Sequence, residues 1–150
     1  MKKYILNKTS FLLIAICALL LGSCALNPKD GNYVAQPFNK KITEVCLIKN
    51  PKVQERGFDL FMVKKLEQEG ITVSEDKNNN CPYYITYVAH YYGIEQHITS
   101  ADIVLHKTGD SSVQGKSTFN ISFFNPAKYH AHAATVIPVM INELLPEQKK

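Results

Sequence analysis

Four cysteines and five histidines are the side chains with the widest chemistry open to them in this 150-residue chain. Paired imidazoles can hold a metal or move a proton; paired thiols can form a disulfide, attack an electrophile or bind zinc. Spacing narrows those options. His130 and His132 stand two residues apart, which turns them to different sides of a helix and brings them together only on an extended segment. His90 and His106 are placed to face each other across neighbouring strands, with Asp102 available to orient one ring, yet no third ligand accompanies them. No metal is therefore expected, and the plainer reading is of surface or half-buried histidines. Cys46 and Cys81 each lack a second ligand at short spacing, which argues against zinc. No GxSxG, HExxH, glycine-rich phosphate loop or paired-carboxylate constellation occurs. The expectation is a non-enzyme with no catalytic residue and no cofactor.

The N-terminus carries a different kind of chemistry. Lys2, Lys3 and Lys8 precede the uncharged apolar run Phe11 to Leu21. That run has 11 residues, whereas a spanning helix needs about 20, so it has the proportions of a signal segment and not of a membrane anchor. It ends in Leu21-Gly22-Ser23-Cys24, which resembles the lipobox of bacterial lipoproteins. The resemblance implies that the Cys24 thiol takes a diacylglycerol, that the chain is cut before Cys24, and that the new amino group is acylated. Buried acyl chains contribute about 0.8 kcal/mol per methylene. Ala25 follows the cysteine where an aspartate would retain a lipoprotein at the inner membrane; by the same resemblance, this favours the outer membrane with the domain facing the periplasm. The alternative is an ordinary secretory signal with Cys24 as a free cysteine. The expected organisation is a signal peptide over 1–23, a lipidated N-terminus and tether over 24–40, a single α+β domain over 41–146, and a frayed tail over 147–150.

Removing the signal changes the charge and the cysteine count. The formal charge of +4 contains three of the 17 basic side chains in Lys2, Lys3 and Lys8, so 14 remain against 13 acidic ones. A balance near neutral argues against nucleic acid as a partner. Cys17 leaves with the signal and Cys24 takes the lipid. Cys46 and Cys81 then remain in an oxidising compartment, where a disulfide is expected and would stabilise by about 4 kcal/mol in the chain-entropy model. Two buried free thiols are the alternative.

The elements that must position these residues follow from periodicity. Residues 25–37 hold the turn pairs Asn27-Pro28 and Asp30-Gly31 and no sustained period, as expected of a tether. Ile42 to Ile48 is short, β-branched and apolar, a buried strand. Asn50 and Pro51 are suited to cap and open a helix running to Gly70, with Gly57 inside it at a cost of about 1 kcal/mol relative to alanine. Ile71-Thr72-Val73 is a short strand, and residues 74–80 are a solvated loop. Tyr83 to Tyr92, Ala101 to Lys107 and Val113 to Phe124 form a meander of three strands. Asn125-Pro126 opens a last helix that continues through Ala133, Ile137, Met140 and Leu144, kinked or split near Pro138.

This order predicts an α+β fold: a four- to five-stranded, largely antiparallel sheet with both helices packed on one face, in the order strand-helix-strand-strand-strand-strand-helix. The other face stays open. Alternation along the longest strand turns Ile85, Tyr87, Ala89 and Tyr91 inward and leaves Tyr84, Thr86, Val88, His90 and Tyr92 outward. Neighbouring strands add Asp102, Val104 and His106, then Lys116, Thr118 and Asn120. Tyr84, Thr86, His90, Tyr92, Asp102 and His106 are thus the candidate binding face. The plainer reading is an ordinary solvated sheet surface.

Cys46-x-x-x-Asn50-Pro51-x-Val53, Leu66-Glu67-x-x-Gly70 and Cys81-Pro82-x-x-x-Thr86-Tyr87-x-Ala89, followed by Ala101-Asp102-Ile103 and Gly115, resemble a family of small, uncharacterised Gram-negative lipoproteins. The resemblance covers roughly residues 42–146 and implies a shared fold, a disulfide and an envelope location, with nothing catalytic. The family carries tryptophan after the Thr-Tyr strand, where this chain has His90-Tyr91-Tyr92. The functional expectation is a membrane-anchored envelope lipoprotein that binds or scaffolds another envelope protein through the open face. The alternative is a small-molecule or lipid-binding lipoprotein with a pocket between helices and sheet, lined by Tyr87, Tyr91 and Phe119.

Overall fold

A computed structural model describes residues 31–53, 57–74, 80–93, 97–122, 125 and 131–149. Residues 1–23, expected to be a signal peptide, Cys24, residues 25–30, the loop residues 75–79 and His130 lie outside the described residues. Six strands form one sheet: β1 (Asn32–Gln36), β2 (Glu44–Leu47), β3 (Thr72–Ser74), β4 (Tyr83–Tyr92), β5 (His97–Lys107) and β6 (Val113–Asn120), in the spatial order β1-β6-β5-β4-β2-β3. Two helices, α1 (Phe58–Gln68) and α2 (Ala133–Leu144), pack on one face of it. Among the described residues no helix is long and apolar enough to cross a membrane.

The α+β class and the two-helix layer match the expectation, and the sheet corrects it in two respects. It has six strands because Asn32–Gln36, expected to be tether, pairs antiparallel with β6. That pairing joins residues about 85 positions apart and leaves no local period strong enough to announce it. The sheet is also mixed. β1, β6, β5 and β4 run antiparallel in turn, but β2 is parallel to both β3 and β4. The crossover through α1 returns the chain in the same direction, as parallel neighbours require. The C-terminal residues, expected to fray, form a short 3-10 turn (Pro146–Lys149), with Gln148 donating to the Lys40 carbonyl at 3.3 Å.

Both helices begin later than expected. At the first Asn-Pro pair, the Asn50 carboxamide oxygen accepts from the Lys52 N–H at 3.0 Å, and its carbonyl accepts from the Val53 N–H at 3.0 Å. These bonds close a turn where the sequence predicts the first helical residues. The helix starts only after Gly57, whose φ of +91° is a left-handed conformation that side-chain-bearing residues resist. Gly57 is therefore a start device, not an interior packing glycine. Phe58, Met62 and Leu66 then recur at a spacing of four and bury one helix stripe completely.

In α2 the His132 carbonyl accepts from the Thr135 hydroxyl at 2.9 Å, and that hydroxyl accepts in turn from the His132 N–H at 3.2 Å. With the start moved to Ala133, Pro138 falls after barely one turn. The helix runs unbroken through it, without the N–H that a residue other than proline would donate to the Ala134 carbonyl.

The core lies between this helix layer and the inward-facing residues of the sheet. Ile85 and Tyr87 from β4, Ala101, Ile103 and Leu105 from β5, and Phe119 from β6 meet Val136, Ile137, Met140 and Ile141 of α2. At Gly115 an added Cβ would stand 2.9 Å from a Leu144 methyl and 3.0 Å from the Gln36 carbonyl oxygen. A side chain there would lift the end of α2 off the sheet.

Cys46 and Cys81 form the expected disulfide, with Cα atoms 5.5 Å apart. Cys46 is paired with Tyr84, so the bridge sits on the open side of the sheet and ties β2 to the start of β4.

A candidate binding groove on the open sheet face

Strand pairing arranges the outward residues in rows. His90 lies beside Ser100 and Asn120, Val88 beside Asp102 and Thr118, Thr86 beside Val104 and Lys116, and Tyr84 beside His106. The candidate residues are thus on one face, but they do not form one site. His90 and His106 stand at opposite ends of β4 and do not face each other; their partners are Ser100 and Tyr84. Tyr92 lies at the far end opposite His97, 42% exposed.

The polar members of the face bind one another. The Tyr84 and His106 rings stack at 4.7 Å with planes 10° apart. His106 Nε2 lies 2.9 Å from the Thr86 hydroxyl, and Nδ1 lies 3.4 Å from the Ser111 carbonyl. A neutral ring satisfies both contacts, with Nδ1–H donating to the carbonyl and Nε2 accepting from Thr86. Asp102 does not orient a histidine. Its carboxylate accepts from the Thr118 hydroxyl at 2.7 Å and pairs with the Lys116 ammonium at 3.2 Å.

Between these pairs runs a groove of about 340 Å³, floored by Thr86, Val88, Asp102 and Val104 and walled by residues 48–51. The wall has a specific origin. β2 pairs with β4 only as far as Leu47 and Ile85, one further backbone bond joins Ile48 N–H to the Ile85 carbonyl, and the chain then turns. The Asn50 amide donates to the Tyr87 carbonyl at 2.9 Å, and the Asn50 backbone N–H reaches the Tyr87 hydroxyl at 3.3 Å. One asparagine thus clamps the turn to the edge of β4. Ile48 and Val88 remain 39% and 43% exposed at the groove.

The sequence anticipated Thr86 and Asp102 here and missed Ile48, Asn50, Val88 and Val104 as members of a site. Asn50-Pro51 is the one available signal, and its local pattern fits a helix cap equally well.

Two of the three rings expected to line a pocket between helices and sheet, Tyr87 and Phe119, pack into the core. Tyr87 is buried and stacked on Phe58 at 5.1 Å, and Phe119 is buried against Tyr33 at 5.0 Å. A histidine contact that spacing did not announce joins His97, which is buried, to His132 at 4.8 Å between ring centroids. Among the described residues no group of three metal-ligating side chains forms.

Two groups outside the groove titrate away from their ordinary values. Burial, aided by the nearby Glu143 carboxylate, pushes the Tyr33 hydroxyl up to about 12. Hydrogen bonds from the Ser112 backbone N–H and hydroxyl hold the Asp110 carboxyl below its usual value.

No protein-family model matches the chain, and no curated protein matches it. Solved structures share its fold. It is similar to PelC from Paraburkholderia phytofirmans, determined as a dodecamer in two crystal forms. The TM-scores are 0.54 and 0.53 at 11% and 10% identity, with 76% of this chain and 98% or 97% of that chain covered. At such identities the likeness establishes the fold alone. A minor lipoprotein from Acinetobacter baumannii aligns over 67% of this chain and 87% of that one, at 10% identity and a TM-score of 0.36, and no inference is drawn from it.

Proposed function

We propose that the chain is a lipid-anchored envelope protein without enzymatic activity that docks a polypeptide segment of another envelope protein in the groove beside β4. The anchor is Cys24, and the address is the periplasmic side of the outer membrane, as the lipobox and Ala25 suggest. The single observation that carries the docking reading is the pair Ile48 and Val88, left exposed where β4 outruns β2, with half-buried Val104 beside them. Aliphatic side chains gathered in a groove gain from being covered, whereas the polar residues around them already have partners within the face. A strand edge with side-chain pockets beside it suits an extended peptide.

Photocrosslinking in intact cells tests this reading. A photoreactive residue at Val88 or Val104 is expected to give a discrete adduct, and the same residue at Leu60, exposed on α1, is expected to give none. Equal labelling from all three positions would overturn the groove assignment. PelC chains of similar fold are dodecamers, so the adduct mass also reads self-association: a product at twice the chain mass identifies the partner as a second copy.

A further inference from the structure

The proposed anchor and the observed β1 together orient the domain. Cys24 precedes Asn32 by eight residues, and a chain of that length reaches at most about 28 Å when fully extended. Asn32 enters the sheet opposite Asn120, in the row that also holds Ser100 and His90. The start of α2 lies at the same end, since the Ile98 N–H donates to the Ala131 carbonyl at 2.7 Å. The opposite end, where Val113 begins β6, is roughly 23 Å away along the strand. To rest that far end on the membrane, the tether would have to run back along the whole sheet at nearly full extension.

The near end also has the chemistry of a membrane interface. It presents His90 and Tyr92, with Tyr92 exposed, beside Asn120, and none of its described residues is acidic. Glu95, in the sequence between β4 and β5, lies outside the described residues. The far end instead carries Lys107 and Asp110. Tyrosine is favoured at headgroup depth because its ring is apolar and its hydroxyl stays hydrated.

We infer that the end of the sheet bearing His90, Tyr92 and the first residue of β1 rests on the phospholipid headgroups. The inference depends on the lipid-anchor reading. It places the groove mid-height on the domain.

The chain has no tryptophan, so Tyr92→Trp and Val113→Trp each introduce a single fluorophore. The full-length protein, processed in cells, is reconstituted into phosphatidylethanolamine–phosphatidylglycerol vesicles containing lipids with brominated acyl chains. Tyr92→Trp emission is expected to shift to the blue and fall about twofold relative to unbrominated vesicles, while Val113→Trp emission stays unchanged. Unquenched Tyr92→Trp, or equal quenching at both positions, on protein that floats with the vesicles would overturn the orientation and leave the anchor intact. Protein that fails to float would overturn the anchor reading and this inference with it. His90→Trp reads the same end should Tyr92→Trp not fold.

Discussion

Two adjacent residues of β4 show how differently the faces of one sheet are built. Tyr87 points into the helix layer, stacked on Phe58 and almost wholly buried; Val88 points the other way and is 43% exposed. On the covered face, apolar side chains pack against one another. On the open face, the groups with the most chemistry are the ones already engaged: Thr86 with His106, His106 with Tyr84, and Asp102 with Thr118 and Lys116. What stands exposed at the groove between them is aliphatic: Ile48 and Val88. The difference moves attention from the tyrosines and histidines of the open face to the valines between them.

Mutations can break or sharpen that contrast. The largest effect is expected at the covered face, where Phe119→Ala should cost about 3–5 kcal/mol in urea unfolding, against about 0.5 kcal/mol or less for Val88→Ala. Comparable losses at the two positions would erase the distinction between the faces. Next in size is the bridge across the open side. Replacing both Cys46 and Cys81 with alanine should lower stability by about 2–4 kcal/mol, since the disulfide closes a loop with a sequence separation of 35.

Gly57→Ala should cost about 1–2 kcal/mol by forcing a Cβ into the left-handed region, and it would shift the start of α1 that frames the 48–51 turn. Tyr33 gives a directional test of the covered side. Its folded pKa is raised, so its contribution is complete below pH 10.0, declines above it and is lost as the pH passes about 12. Thermal melts should therefore lose stability over that interval in the native chain and lose less in Tyr33→Phe. The smallest effect is expected for Asp102→Ala, about 0.2–1 kcal/mol, because the carboxylate and its lysine partner are both partly exposed.

Much of this contrast was legible in the sequence because strand alternation is a strictly local signal. Tyr83 to Tyr92 sorted its inward and outward residues correctly, and Cys46 and Cys81, the two cysteines expected to form a disulfide, are the two that pair. What was not legible depends on distant partners. β1 is a strand only because β6 lies beside it. Asn50 looks like a helix cap until Tyr87, 37 residues away, takes its amide. The groove follows from these long-range facts, since its wall exists only where Asn50 clamps the chain and its floor opens only where β2 stops. Residue type pointed to Tyr84, Thr86, His90, Tyr92, Asp102 and His106 but could not reveal that Thr86, His106, Tyr84 and Asp102 engage groups within the face.

The most direct test of the central claim joins folding to docking in one variant. Val88→Asp, in a chain carrying a photoreactive residue at Val104, places a charge on the groove floor where no core contact is lost. The predicted result is a melting temperature close to that of the same chain with Val88 intact, together with loss of the Val104 adduct. An undiminished adduct from a fully folded Val88→Asp chain would contradict the assignment of the groove as the docking surface.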